Sequence, residues 1–119
     1  MLEDKVNIGL TLESTRIAEK LEETGNFEDK LTIAKFALAY AIKNNLDTNL
    51  TEDKIGDIGG TKWNIGSVDT DQYLRNVIIS LYPEVKTPYR AIEILMNKGL
   101  TSIGEIIDNE GIGKISDYM

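Results

Sequence analysis

The sequence predicts a mainly α-helical single domain over residues 1–119, with one short N-terminal strand followed by about five helices. Three observations carry that reading. Val6, Ile8 and Leu10 alternate with Lys5, Asn7 and Gly9, the period of a strand with one apolar face. Further on, apolar residues recur at three- and four-residue spacing in separate runs, each bounded by residues that start or stop helices. The two prolines, Pro83 and Pro88, stand at the edges of those runs, where a missing N–H does no harm.

Each element has a local reason. Thr11 stands at the N-cap of a first helix in which Leu12, Ile17, Ala18 and Leu21 share one side, and Gly25 is its left-handed stop. Asn26 offers a side-chain oxygen as the next cap, with Glu28 and Asp29 at the positive end of the dipole. The second helix then runs to about Asn44 and completes a strand-helix-helix unit over 5–45. Residues 46–69 are rich in Gly, Asp, Asn and Thr and read as a loop, with Trp63 as its apolar anchor. A helical C-terminal half over 70–108 follows. Asp69, Thr70 or Asp71 starts a third helix, in which Tyr73, Leu74, Val77, Ile78 and Leu81 recur before Pro83. Thr87 and Pro88 open a fourth, Tyr89 to Asn97, which Gly99 stops; Thr101 or Ser102 starts a fifth that ends near Asp108. Residues 109–119, with Gly111 and Gly113, read as a fraying tail.

The second helix is the most informative segment. Leu31, Ala34, Leu38, Ala41 and Ile42 form one apolar stripe, and Ile33, Phe36, Ala37 and Tyr40 form another. Between Leu31 and Ile42 only Lys35 carries a charge. A helix apolar nearly all round must be covered on most of its circumference. The cover comes either from the later helices or from a second copy of the chain. The expectation adopted is an intertwined homo-oligomer, meeting through Ile33, Phe36, Ala37 and Tyr40 and through paired strands at Val6, Ile8 and Leu10, because one strand alone leaves its backbone unpaired.

Composition excludes several kinds of chemistry. With Cys 0 and His 0, thiolate, imidazole and Ser-His-Asp mechanisms are closed, as are the transition-metal sites that draw on those ligands. The chain holds 13 Lys+Arg against 20 Asp+Glu, a formal charge of -7, spread over both halves rather than gathered in a basic arm. No basic stretch leads into an apolar run at the N-terminus and no segment is long and apolar enough to span a bilayer, so a cytoplasmic protein with no membrane partner is expected.

Nor do the carboxylates form a recognisable catalytic pair. Glu19, Glu22 and Glu23 lie on the polar side of the first helix. Asp53 to Asp57 and Asp69-Thr70-Asp71 are fragments of a calcium loop without its full ligand spacing. Gly111-Ile112-Gly113-Lys114 has the look of a phosphate-cradling turn but lacks the flanking strand and helix. The expectation is a protein that is not an enzyme and uses no cofactor and no metal.

The order strand, helix, short turn, helix resembles the ribbon-helix-helix fold of small DNA-binding proteins, in which two chains pair their strands into a ribbon that enters the major groove. Under that likeness Lys5 and Asn7 face the DNA. A second resemblance reaches further along the chain. Glu22-Glu23-Thr24-Gly25, Ile33 to Ala39, Gly59-Gly60-Thr61-Lys62-Trp63-Asn64, Asp71-Gln72-Tyr73-Leu74 and Ile94 to Gly99 follow, in order and spacing, the layout of a bacterial family. That family is the small E protein (DndE-like) of DNA sulfur-modification, or phosphorothioation, systems. Ile65-Gly66-Ser67-Val68-Asp69 departs from the family pattern after the Gly-Gly-Thr-Lys-Trp-Asn turn.

The resemblance implies a non-catalytic, DNA-associated accessory subunit, with partners among duplex or nicked DNA, other subunits of the modification complex and further copies of itself. Candidate DNA contacts are Lys5, Asn7, Lys30, Lys35, Arg75 and Arg90. The negative balance opposes counterion-driven affinity, so any such binding is expected to be weak. The alternative is an acidic protein-protein interaction or adaptor module with no nucleic-acid role.

Overall fold

The computed structural model describes residues 4–44 and 59–110. The element order is β1 (Asn7–Gly9), α1 (Leu12–Glu22), α2 (Lys30–Lys43), β2 (Lys62–Asn64), α3 (Ile65–Val68), α4 (Tyr73–Leu81) and α5 (Pro88–Glu110). The chain is therefore mainly helical, with a small antiparallel sheet in the order β1-β2.

Thr11 caps α1 as expected, its side chain accepting the Ser14 N–H, and Gly25 takes the left-handed conformation at φ 76°. The cap of α2 is Asp29 rather than Asn26: its carboxylate accepts from the Thr32 N–H at 2.8 Å and from the Thr32 hydroxyl at 2.9 Å. Those bonds, the backbone one foremost, hold the Asp29 carboxyl below its ordinary range.

The expected fourth and fifth helices are one, α5, which Gly99 does not stop. At 23 residues it is about 35 Å long. Every residue from Ala91 to Asn97 is buried, because β1, α1, α2 and α4 all pack around it. Burying each Ile or Leu of this wall stabilises the fold by roughly 1.5–3 kcal/mol.

α5 supplies the cover that α2 demands. Ile33, Ala34, Ala37, Leu38 and Ala41 are enclosed, and Leu31, Phe36, Tyr40 and Ile42 are half-buried against the same core. Phe27, in the turn before α2, lays its ring over Phe36 with centroids 5.3 Å apart. The physical requirement that suggested a second copy is thus met within one chain. Close approach makes this possible: a Cβ at Gly99 would overlap the Ala37 carbonyl, and one at Gly104 would stand 2.6 Å from the Ile17 Cδ1.

The strand is handled in the same way. β1 pairs with β2, Ile8 opposite Trp63, inside the segment expected to be loop. Trp63 is half-buried against the core, as an anchor should be. On that edge the Leu10 N–H donates to the Thr61 carbonyl at 2.8 Å and the Ile65 N–H donates to the Val6 carbonyl at 3.1 Å. On the other edge side chains of α5 replace a strand: the Gly9 N–H donates to Glu93 Oε2 at 2.9 Å, and Asn97 Nδ2 donates to the Gly9 carbonyl at 3.0 Å. Both edges of β1 are occupied by its own chain. The rest of the expected loop, 46–58, and the stretch 111–119 of the expected tail lie outside the described residues.

Candidate functional site

Polar groups gather where β1 meets α5. Asp4 reaches across the fold to the first turn of α5, its carboxylate accepting the Tyr89 N–H at 2.9 Å and the Arg90 N–H at 3.0 Å. Pro88 has no N–H to offer, so Asp4 serves the next two donors, which no helical carbonyl can reach. One turn on, the Lys5 ammonium meets Glu93 Oε1 at 2.8 Å. Glu93 and Asn97 are 5% and 2% exposed, and both are fully engaged, since Asn97 Oδ1 also accepts the Thr11 N–H at 2.9 Å.

Asp69 forms the second half of this cluster. Gln72, at the N-cap of α4, has left-handed backbone and makes no side-chain cap. Asp69 supplies the cap instead, accepting the Leu74 N–H at 2.9 Å and the Arg75 N–H at 3.0 Å. It also accepts the Tyr89 hydroxyl at 3.0 Å. Burial first, and then donation to the Asp69 carboxylate, push the Tyr89 phenol up to about 12. The phenol therefore stays a neutral donor, and the buried carboxylates are saturated by structural hydrogen bonds.

The six candidate DNA-contact residues divide into two groups. Lys5, Arg75 and Arg90 stand around the start of α5, and Asn7 is exposed on β1 opposite Asn64. Arg90 is exposed, Arg75 is half-buried, and Lys5 is committed to Glu93. Lys30 lies at the α1–α2 turn, paired with Glu22 at 2.9 Å, and this hydrogen bond raises its pKa. Lys35 is exposed one turn further along α2. Because α1 runs alongside α5 from Asn97 toward Gly104 and beyond, the Lys30 turn sits toward the far end of α5 from Arg90. No single basic face joins the two groups. Of the residues expected between copies, Ile8, Leu10, Ile33 and Ala37 belong to the core, Phe36 and Tyr40 are half-buried, and Val6 is 76% exposed.

Two surface features were not singled out by sequence. A groove of about 200 Å³ between α1 and α5 has Ile17, Gly104 and Ile107 among its lining, together with Arg16, Lys20, Glu105 and Asp108. The other is α4. Tyr73, Leu74, Val77, Ile78 and Leu81 recur at helical spacing, and of these only Ile78 is buried; Tyr73 is 65% and Leu81 51% exposed, and Ile79 is exposed as well. The available signal was the absence of any acidic residue from Gln72 to Pro83 in so acidic a chain.

Among the described residues no three acidic side chains converge to hold a metal ion, and no helix is long and apolar enough to cross a membrane. No protein-family model, curated protein or solved structure matches the chain.

Proposed function

We propose that this chain is a non-catalytic protein-interaction module, an adaptor whose contact surface is α4. The observation that carries the reading is the exposure of Tyr73 and Leu81, about two turns apart on a helix that buries only Ile78. Exposed apolar surface of this kind marks interaction sites in proteins whose cores are otherwise closed. The saturated carboxylates around Tyr89 support a structural role for that cluster. The test is capture of partners from extracts of the source cells by immobilised parent chain and by the double variant Tyr73→Ser/Leu81→Ser. A partner held by the parent and released by the variant is expected; identical capture by both would remove α4 from the function.

A second reading, the DNA-associated accessory subunit of a sulfur-modification type system, is favoured by the nearness of Arg75 and Arg90 to the first turn of α5. In it the chain binds duplex or nicked DNA weakly, with a Kd of roughly 10⁻⁴–10⁻⁶ M at physiological salt. Ribbon-type pairing of two copies belongs to this reading and requires Glu93 and Asn97 to release Gly9. Anisotropy titrations with the parent and Asn7→Ala/Arg90→Ala test it: the variant binds more weakly if the reading holds, and equal affinity sinks it.

A further inference from the structure

The groove between α1 and α5 takes no part in the polar cluster around Tyr89 or in the α4 surface. Its floor is apolar. Ile17, buried on α1, meets α5 so closely that a Cβ at Gly104 would stand 2.6 Å from the Ile17 Cδ1, and half-buried Ile107 continues the floor along α5. The volume, about 200 Å³, lies below the roughly 300–1,000 Å³ of sites for drug-sized ligands. The groove suits a small solute. A helix, about 10 Å across with its side chains, has no room in it.

The two walls differ in sign. On the α1 side stand Arg16 and Lys20, four residues apart; on the α5 side stand Glu105 and Asp108, three apart, so each pair shares a helix face. Glu13 completes the α1 lining at the end toward Thr101, away from Lys20. All five charged residues are exposed. Glu19 and Glu23 follow Arg16 and Lys20 at i+3, within helical reach. Yet the ion pairs among the described residues are those of Lys5 with Glu93 and Lys30 with Glu22 alone. Opposite charges therefore face each other across the groove without touching.

That pattern selects among solutes. Two cations against three carboxylates leave the lining one charge negative, which repels a simple anion. A simple cation is held by Glu105 and Asp108 but leaves Arg16 and Lys20 without a counter-charge. A molecule that carries an ammonium and a carboxylate side by side answers both walls. We propose that the groove binds a free α-amino acid with an aliphatic side chain. Its ammonium lies between Glu105 and Asp108, its carboxylate beside Arg16 and Lys20, and its side chain over Ile17 and Ile107. The site is separate from α4 and does not depend on the interaction-module reading.

The test is an NMR titration of the full chain with L-leucine, followed at the Ile17, Thr101 and Gly104 amides. L-Leucinamide lacks the carboxylate and N-acetyl-L-leucine lacks the ammonium, and the two stand for the ends of a peptide. Each is expected to bind about fivefold more weakly at low salt, with the gap narrowing as salt is raised. Glycine, with no side chain to bury, should bind about tenfold more weakly. Arg16→Gln/Lys20→Gln should erase the preference for leucine over leucinamide, and Glu105→Gln/Asp108→Asn the preference over N-acetyl-leucine; circular dichroism checks that both variants stay folded. Leucine that moves none of these amides, or that binds no better than either derivative, overturns the proposal. So does a preference unchanged in both variants, which places binding elsewhere. The comparison of ligands uses the parent chain, so it decides the matter even where a variant fails to fold.

Discussion

Gly99 of α5 lies against Ala37 of α2 so closely that a methyl group on Gly99 would overlap the Ala37 carbonyl oxygen and crowd its carbonyl carbon. The obstructing atoms are backbone, so no side chain can swing aside. This crossing lets α5 cover α2 within one chain.

Gly99→Ala is therefore expected to destabilise the fold by about 2–4 kcal/mol, since the two helices must separate. The sign is the sharp part. In an exposed helix interior the same change would stabilise by about 1 kcal/mol. Urea unfolding of parent and variant measures the difference, and a stabilised variant would mean that the helices do not cross there.

Asn97 serves three backbone groups: the Thr11 N–H and the carbonyls of Gly9 and Glu93. Asn97→Ala orphans the first two in a buried place, and the expected cost is about 2–4 kcal/mol. Hydrogen exchange should locate the damage, with the Thr11 amide losing protection more than the amides of α2.

The Tyr89 phenol ionises near 12 instead of its ordinary 10, so folding favours its neutral form. Its contribution to stability is complete below pH 10 and is lost as the pH climbs toward 12. Tyr89→Phe is less stable than the parent at pH 8, because Asp69 loses a donor. The gap should shrink above pH 10; a gap constant to pH 11.5 would refute the Tyr89–Asp69 hydrogen bond.

Within α4 the cost of substitution should follow exposure. Ile78→Ala removes a fully buried side chain and is expected to cost about 2–4 kcal/mol. Tyr73→Ser, on the open face, should stay within about 0.5 kcal/mol of the parent. Thermal unfolding of the two variants checks the contrast.

Local chemistry made several elements legible in sequence. The Thr11 cap, the Gly25 stop, the apolar stripes of α2 and the proline at the start of α5 each depend on residues within a few positions of the feature they create. What stayed hidden depends on distant partners. Gly99 looks like a stop until Ala37 is brought against it. Thr101 looks like a cap, but its hydroxyl donates back to the carbonyls of Asn97 and Lys98 inside a continuous helix. Asp4 is separated from Tyr89 by 85 positions, and Glu93 from Gly9 by 84. The one trace of that second contact was a polar pair four residues apart, Glu93 and Asn97, in an otherwise apolar stretch. The exposure of Tyr73 and Leu81 on α4 was not legible either, because helical spacing reports that a face is apolar without saying what, if anything, lies opposite.

The double bracing of β1 imposes a schedule on biosynthesis. This strand is made well before its partners: its first neighbour arrives only with residues 62–64, and the side chains that close its remaining flank arrive only with residues 93–97. Until then the nascent chain can form isolated helical turns but cannot lock β1. Joining segments so far apart in sequence slows folding relative to a bundle built from adjacent helices, and it makes α5 the helix that fixes β1 in place.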